Sequence, residues 1–325
     1  MIECHVLPFS VIICTRNRPA LLGRTIESII QNTNAIPYLV QFIIVDSSRS
    51  SESEEVVSLL SRKIPSQFVK AGFSTTLPEK RNMAIEILTG DPHVIFFLDD
   101  DVELDPTFIE NALMCFEDPK IIGVGGRDVN KKLKNPKRWQ ILFNLTSTQQ
   151  GVILPSGQNV EYVTSDDNME VEWISGCVMS FRASLFNQIR FDENRHFDGE
   201  DVDFTFRASK FGTLVCSPNA KYQHSSSLSI LPNKNHRIRD LVAHRCMLAL
   251  GTSGKVRFWP TYFSILVLGF VIFIKGLRTK EFLIMYLGVR HVFLGLLSPL
   301  YVVYLILRSK NSRRTDSVKS ESRTA

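Results

Sequence analysis

Three adjacent carboxylates, Asp99, Asp100 and Asp101, close the apolar run Val94-Ile95-Phe96-Phe97-Leu98. A run so rich in β-branched and aromatic residues reads as a buried strand, which leaves the acids at its end. Adjacent acids repel one another and call for a cation. Hard divalent ions such as Mg2+ or Mn2+ take oxygen ligands and often complete their shell with substrate phosphates. The other reading is a helix N-terminus, because Asp105-Pro106 follows and acids favour that end of the dipole. A second acidic set, Asp198-Gly199-Glu200-Asp201-Val202-Asp203, opens a helix running to about Lys210, and acids in a first helical turn are commonplace.

The elements that must position these groups follow from hydrophobic periodicity. Phe9 to Cys14 reads as a strand, followed by the turn Thr15-Arg16-Asn17-Arg18-Pro19 and a helix from Ala20 to Gln31. Leu39 to Val45 is a strand ending at Asp46, Ser51 to Arg62 a helix, and a short strand lies near Phe68. A helix from about Pro78 to Leu88 precedes the strand that leads into the three acids. Such alternation predicts an α/β fold with a mostly parallel sheet flanked by helices. Ligands bind such sheets beyond the carboxyl ends of the strands, where Thr15, Asp46 and Asp99 all fall. After a strand at Ile121 to Val124, residues from about Arg127 to Glu172 form an elaboration over the site carrying a mobile loop. Order returns at Trp173-Ile174-Ser175-Gly176-Cys177, with a short strand through Phe181.

Five separated elements in order carry a resemblance: Val11-Ile12-Ile13-Cys14-Thr15-Arg16-Asn17-Arg18, Ile44-Val45-Asp46-Ser47-Ser48, Lys80-Arg81-Asn82, Leu98-Asp99-Asp100-Asp101 and Gly199-Glu200-Asp201-Val202-Asp203. Over roughly residues 8 to 250 the chain resembles family 2 glycosyltransferases of bacterial, membrane-associated type, nucleotide-sugar-dependent enzymes with a GT-A fold. The first turn holds no Gly-rich phosphate cradle, which weakens rival α/β readings.

The resemblance implies roles. Thr15, Arg16, Asn17 and Arg18 would line the nucleotide pocket, Asp46 would accept a hydrogen bond from the base, and Lys80 and Arg81 would lie beside the nucleotide or diphosphate. A solvated helix face is the alternative for the Lys80–Arg81 pair. Asp99 and Asp101 occupy the two acid positions of the DxD signature, Asp101 contacting metal, while Asp100 reaches the ribose or stabilises the turn. Asp201 would be the base that takes the acceptor proton, Glu200 would orient acceptor or base, and Asp203 would orient the helix. His224 stands where some relatives place a metal-reaching His, although a lone His is also an ordinary structural residue. Trp173 and Gly176 fall on the acceptor-side wall, where an indole would stack on a sugar or serve as core. Arg237 and Arg245 would touch diphosphate or face acidic lipid.

The chain is long enough, at 325 residues, for one large α/β core plus an appendage. Its net charge of +5 is modest, and the basic residues gather around the C-terminal apolar runs and the final tail. That placement suits an anionic membrane, not a nucleic-acid groove. Six cysteines lie far apart without zinc-like spacing and read as reduced core residues of a cytosolic domain. The N-terminal run Val6 to Cys14 is short, contains Pro8 and has no basic leader, so no signal peptide is expected. Phe258 to Ile274 is apolar throughout, and Phe282 to Leu307 is a longer run broken by Arg290 and His291. Basic residues before, between and after the runs leave two arrangements open: true crossings, or helices in the interface. The expected organisation is a glycosyltransferase domain over 1–254, membrane helices over 255–310, and a basic tail over 311–325.

The expected activity is inverting, metal-dependent transfer from a nucleotide-diphosphate sugar to a saccharide or lipid-linked hydroxyl at the cytosolic membrane face. Nucleotidyl or phosphoryl transfer is a second reading, since it also uses clustered acids and metal. A non-catalytic, membrane-tethered nucleotide-sugar-binding protein is a third.

Overall fold

A computed structural model describes residues 7–132, 135–163, 167–194, 199–225, 244–245, 248, 255–282 and 284–297. The tail at 311–325, Arg237 and the end of the second apolar run lie outside the described residues. Contacts divide the chain into two compact units, the first comprising 1–135, 149–152 and 159–230, the second 136–148, 153–158 and 231–325.

In the first unit, β1 (Phe9–Thr15) is almost wholly buried, as its β-branched sequence demands. Pro19, whose missing N–H costs nothing in a first turn, starts α1 (Pro19–Ile30), which buries Leu21, Leu22, Ile26 and Ile29. β2 (Leu39–Asp46), α2 (Glu52–Leu60) and β3 (Gln67–Lys70) follow. Thr76 then caps α3 (Leu77–Glu86): its backbone N–H donates to the Glu79 carboxylate at 2.6 Å, and its hydroxyl accepts from the Glu79 N–H at 3.5 Å. β4 (Val94–Asp99) carries the acids, and β5 (Val102–Leu104) and α4 (Phe108–Cys115) continue the chain. The acids therefore end a strand and do not open a helix. β6 (Ile121–Asp128), β7 (Met169–Val171), β8 (Val178–Arg182), α6 (Glu200–Ala208) and β9 (Thr213–His224) complete this unit.

The strands form one sheet in the order β3-β2-β1-β4-β8-β6-β9-β5, with β7 also on β9. The half built from β3, β2, β1 and β4 is parallel, as the helical alternation predicts. Beyond β4 the sheet is mixed, because β8 runs antiparallel to both β4 and β6, and β5 and β7 run antiparallel to β9. The reversal has a consequence for the site. The N-terminal end of β8 lies beside the C-terminal end of β4, with Leu98 opposite Val178 and the Asp99 N–H bonded to the Cys177 carbonyl at 2.9 Å. β9 closes the same edge, pairing His224 with Val102.

The core on one side joins Phe9, Phe96 and Phe108 to the aliphatic residues of α1 and α4. On the other side, Phe97, Phe181, Phe186, Phe191 and Phe204 pack ring against ring, Phe191 and Phe204 at 4.0 Å between centroids. Phe204 belongs to α6, so this cluster locks the Glu200–Asp201 helix onto the sheet. Cys14, Cys115, Cys177 and Cys216 are thiols and not disulfides, matching their scattered placement.

In the second unit, α5 (Arg138–Leu142) is a short helix and α7 (Phe258–Thr279) a long apolar one of 22 residues. At 1.5 Å per residue α7 extends roughly 33 Å, enough to cross a bilayer core. A shorter apolar helix, α8 (Ile284–Leu297), follows the left-handed turn at Lys280.

Candidate active site

The carboxyl ends of the parallel strands bring the first group of residues together. Cys14 stands opposite Asp99 and Thr15 opposite Asp46 in register. Asp100 is buried and pinned from two sides: the Thr15 hydroxyl donates to it at 2.6 Å and the Arg18 guanidinium at 3.1 Å. Arg18 also reaches Asp101 at 3.2 Å. Pro19 at the start of α1 and the left-handed Asn17 (φ 57°) set the turn that aims Arg18 inward. The Asn17 N–H donates to the Ser48 hydroxyl at 2.6 Å, joining this turn to the end of β2. Arg16 and Arg49 both lie over the half-exposed Phe73 ring, at 5.4 and 4.2 Å.

Asp46 is wholly buried, and both its oxygens have internal partners. One accepts from the Ser48 N–H at 2.9 Å and from the Ser48 hydroxyl, the other from the Lys70 ammonium at 2.8 Å. Lys70 was not singled out in the sequence, and Ser48 entered only as the end of the Ile44–Ser48 motif, without a role. The strand register would have found Lys70, which ends β3 directly opposite Asp46.

On α3, Lys80 and Arg81 are buried and not on a solvated face. The Lys80 ammonium donates to the Thr15 carbonyl at 3.0 Å, and burial lowers its pKa. Arg81 is the crosspiece of the site. It donates to the Gly176 carbonyl at 3.1 Å, pairs with Glu200 at 3.3 Å, and stands 3.7 Å from Asp99. Asn82 clamps the backbone of Phe191, accepting from its N–H at 3.1 Å and donating to its carbonyl at 2.9 Å, which holds the aromatic cluster under α6.

The acidic residues respond to this enclosure. Burial pushes the Asp99 carboxyl up to about 6 against the opposing pull of Arg81, and burial likewise raises Asp100. Asp101 accepts from the His224 ring at 3.1 Å, and that bond raises the His224 pKa against the desolvation that opposes it. The Cys177 sulfur lies 3.9 Å from the same ring. Asp99, Cys177 and His224 offer ligand atoms all within 4.8 Å of one another. Cys177, read from sequence as a core thiol, is thus part of the site wall. Its place just before a strand antiparallel to β4 carried no local signal.

Asp201 faces this group from α6. Gly199 at the N-cap has φ 98°, a conformation that suits glycine, and it turns the chain into the helix. The Asp201 carboxylate accepts from the Gly176 N–H at 2.8 Å and from the Val202 N–H at 2.8 Å. A side chain on Gly176 would meet Asp201 at 3.0 Å, so only glycine admits this approach comfortably. Burial, then the neighbouring Asp201 charge, pushes Glu200 up to about 7. Asp203 is spent on Arg207 one turn later, at 2.9 Å, as a helix-orienting residue would be.

Trp173 is 3% exposed, packs edge-on against Tyr162, and donates its indole N–H to the Val160 carbonyl at 3.0 Å. It is a core residue beneath the Gly176 segment, and its ring is not presented to solvent. Arg245 belongs to the second unit, where it donates to the Ser264 hydroxyl at 3.1 Å and to the Gln158 side chain.

Comparison with known proteins extends this geometry. The chain shares its fold with a mannosyltransferase of Pyrobaculum calidifontis solved with GDP-Man and Mn2+, at TM-score 0.56 and 14% identity over 94% of this chain and 80% of that one. It is also similar to GalNAc-T7 solved with UDP, GalNAc and Mn2+ (TM-score 0.57, 14% identity), covering 83% of this chain and 54% of the other. Residues 1–349 of S. aureus TarS align at TM-score 0.50 and 15% identity over 81% of this chain and 79% of that fragment. No curated protein matches the chain by sequence. These neighbours identify the sheet as the GT-A arrangement. Residues 10–188, more than half of the chain and inclusive of the strand-end acids and the Gly176–Cys177 segment, match glycosyl transferase family 2. The chain belongs to that family and is a glycosyltransferase.

Proposed function

We propose that this glycosyltransferase moves a sugar from a nucleotide-diphosphate donor to a hydroxyl of a saccharide or lipid-linked acceptor, with inversion and with a divalent metal. The observation that carries the reading is the convergence of the Asp99–Cys177–His224 donor set and of Asp201 upon the Gly176–Cys177 segment. In-line displacement needs charge stabilisation on the departing side and a base on the opposite side.

Of that set the Asp99 carboxylate and the His224 imidazole fit a divalent ion, with Asp101 joined to the same ring at 3.1 Å, whereas the Cys177 thiol is too soft a donor for Mg2+ or Mn2+. Carboxylate oxygens suit both Mg2+ and Mn2+, imidazole is a softer donor better suited to Mn2+ than to Mg2+, and the enclosed acids of β4 gain from an added positive charge. Asp101, Asp99 and His224 would hold it, with the structural neighbours' Mn2+ in support. When bound, it would neutralise charge on the diphosphate.

The protein's own groups do the rest. Thr15, Arg16, Asn17 and Arg18 line the nucleotide, and Asp46, whose carboxylate is held by Ser48 and Lys70, accepts from a base N–H. Arg81 and Lys80 supply positive charge beside the diphosphate, and Asp100 fixes the turn through Thr15 and Arg18. The acceptor oxygen attacks the anomeric carbon as the bond to the diphosphate oxygen breaks, the electron pair leaving with the diphosphate. Asp201 takes the hydroxyl proton. Two backbone N–H donors hold the Asp201 carboxylate while it does so, and Glu200 orients the acceptor. Gly176 leaves room beside the base, and Trp173 supports that wall from within the core.

The length and apolarity of α7 support attachment to a membrane, with the catalytic unit on the cytosolic side and a lipid-linked acceptor within reach. The test incubates membranes carrying the full chain with a panel of nucleotide sugars and Mg2+ or Mn2+, measuring released nucleotide and labelled product. Transfer that collapses in Asp201→Asn, with nucleotide binding intact, is the expected result. Transfer unchanged in that variant removes Asp201 from the base role.

A further inference from the structure

The second unit exposes apolar side chains away from the long helix. On α5 and its end, Trp139, Leu142 and Phe143 are 37%, 74% and 40% exposed, and Ile141 is 39% exposed. Trp139, Leu142 and Phe143 are spaced i, i+3 and i+4, so they share one face of the turn, which the Phe143 N–H to Trp139 carbonyl bond closes at 3.1 Å. Exposed Lys137 and Arg138 stand at the start of that turn. A soluble surface gains nothing from four clustered large apolar groups, and a patch of that kind marks an interaction site.

The covalent and hydrogen-bond path from α5 says where the patch is held. The Asn144 carbonyl accepts from the Ser156 hydroxyl at 2.5 Å. One residue earlier, the Pro155 carbonyl accepts from the Arg257 N–H at 2.8 Å, immediately before α7 begins. The start of α7 is itself aromatic. Phe258, Trp259, Tyr262 and Phe263 contact one another at 5.2 to 6.0 Å, with Trp259 63% and Phe263 55% exposed. Lys255 and Arg257 precede them. Amphipathic aromatic rings collect at the headgroup level of a bilayer, and basic residues beside them favour anionic lipid.

We infer that the Trp139–Phe143 turn is a second, interfacial anchor, which lies in the headgroup region of an anionic lipid surface beside the aromatic end of α7. The occupant is lipid because the turn is tied, by the Asn144–Ser156 and Pro155–Arg257 hydrogen bonds, to the start of the helix long enough to cross a bilayer, and because its flanking charges are basic. The anchor fixes the segment at 136–148 to the surface at which a lipid-linked acceptor would be presented. The inference rests on α7 being embedded, as proposed above.

The experiment uses the full chain in vesicles of phosphatidylcholine and phosphatidylglycerol, with Trp139→Phe as the reference for the emission of Trp139. Lipids brominated at shallow or at deep positions quench tryptophan within the bilayer, and iodide quenches it from water. Vesicle-bound protein in which shallow-brominated lipid removes most of the Trp139 emission, with iodide removing little, is the expected result. Leu142→Ser/Phe143→Ser should then expose Trp139 to iodide, while nucleotide binding stays unchanged. Protein that remains vesicle-bound after alkaline washing but has Trp139 quenched only by iodide overturns the anchor and leaves the membrane reading intact. Protein that does not bind vesicles defeats both. Trp139 shielded without lipid, in step with concentration-dependent self-association, overturns the anchor in favour of a contact between copies.

Discussion

The acids at the end of β4 and the acid at the start of α6 are held in opposite ways. Asp99, Asp100 and Asp101 are met by side chains that carry or can take a positive charge: Arg81 at 3.7 Å, Arg18 at 3.1 and 3.2 Å, and His224 at 3.1 Å. Asp201 is met by two backbone N–H groups at 2.8 Å and, among the described residues, by no ion pair. Cationic partners can be exchanged for another cation, so the strand end is built to trade charge with a ligand. Neutral N–H donors fix a carboxylate's orientation without consuming its charge, which is what a proton acceptor requires. Arg81 joins the two regions, because it reaches Asp99 on one side and Glu200 and Gly176 on the other.

The largest effect tests whether Asp201 is the base. Asp201→Asn keeps an acceptor for the Gly176 N–H but removes the charge, and turnover should fall by roughly 10²–10⁴-fold. Single-turnover transfer checks this, beside calorimetry showing donor binding unchanged; a retained rate would dissolve the contrast between the regions. Removing the crosspiece should show next. Arg81→Met leaves Glu200 and Asp99 without their shared cation and should destabilise the fold by about 3 kcal/mol in urea titration. An unchanged midpoint would mean the two regions are held independently.

Asp101→Ala should cost about 100-fold in metal-stimulated transfer, and in metal-free protein it should lower the His224 pKa, because the bond that raises it is gone. Proton NMR of the ring reads that shift directly. The raised pKa of Glu200 links stability to pH. Its folded pKa of about 7 exceeds the ordinary 4.5, so the folded state binds more protons between those values and stability falls as pH rises through them. The loss should be about 3 kcal/mol, and Glu200→Gln should flatten it in denaturation curves taken across that range. The smallest change lies outside both regions. Thr76→Ala removes the cap of the helix bearing Lys80 and Arg81, and should cost about 1 kcal/mol in thermal melts with transfer nearly unaffected.

Much of this site was legible because its residues stand at strand ends. Thr15, Asp46 and Asp99 were expected at one edge from hydrophobic periodicity alone, and β1, β2 and β4 end there. What stayed hidden depended on partners distant in the chain. Trp173 could be read either as a sugar platform or as core; its indole bond to Val160, 13 residues away and outside any strand, decides for the core. Likewise the strands at Ile121 and before Phe181 were legible but their mixed directions were not, and β5 and β7 carry too few residues to show a period.

The order of residues along the chain was enough to specify which groups end strands, which helix begins with acids, and which segment is apolar enough for lipid, because these follow from local periodicity and chemistry. It could not specify that β8 reverses direction, bringing Gly176 and Cys177 between Asp99 and Asp201. That depends on packing: with β8 antiparallel to β4, the phenylalanines of β8, α6 and the intervening segment bury one another, and the β4–β8 pairing spans residues too far apart for any local signal to record.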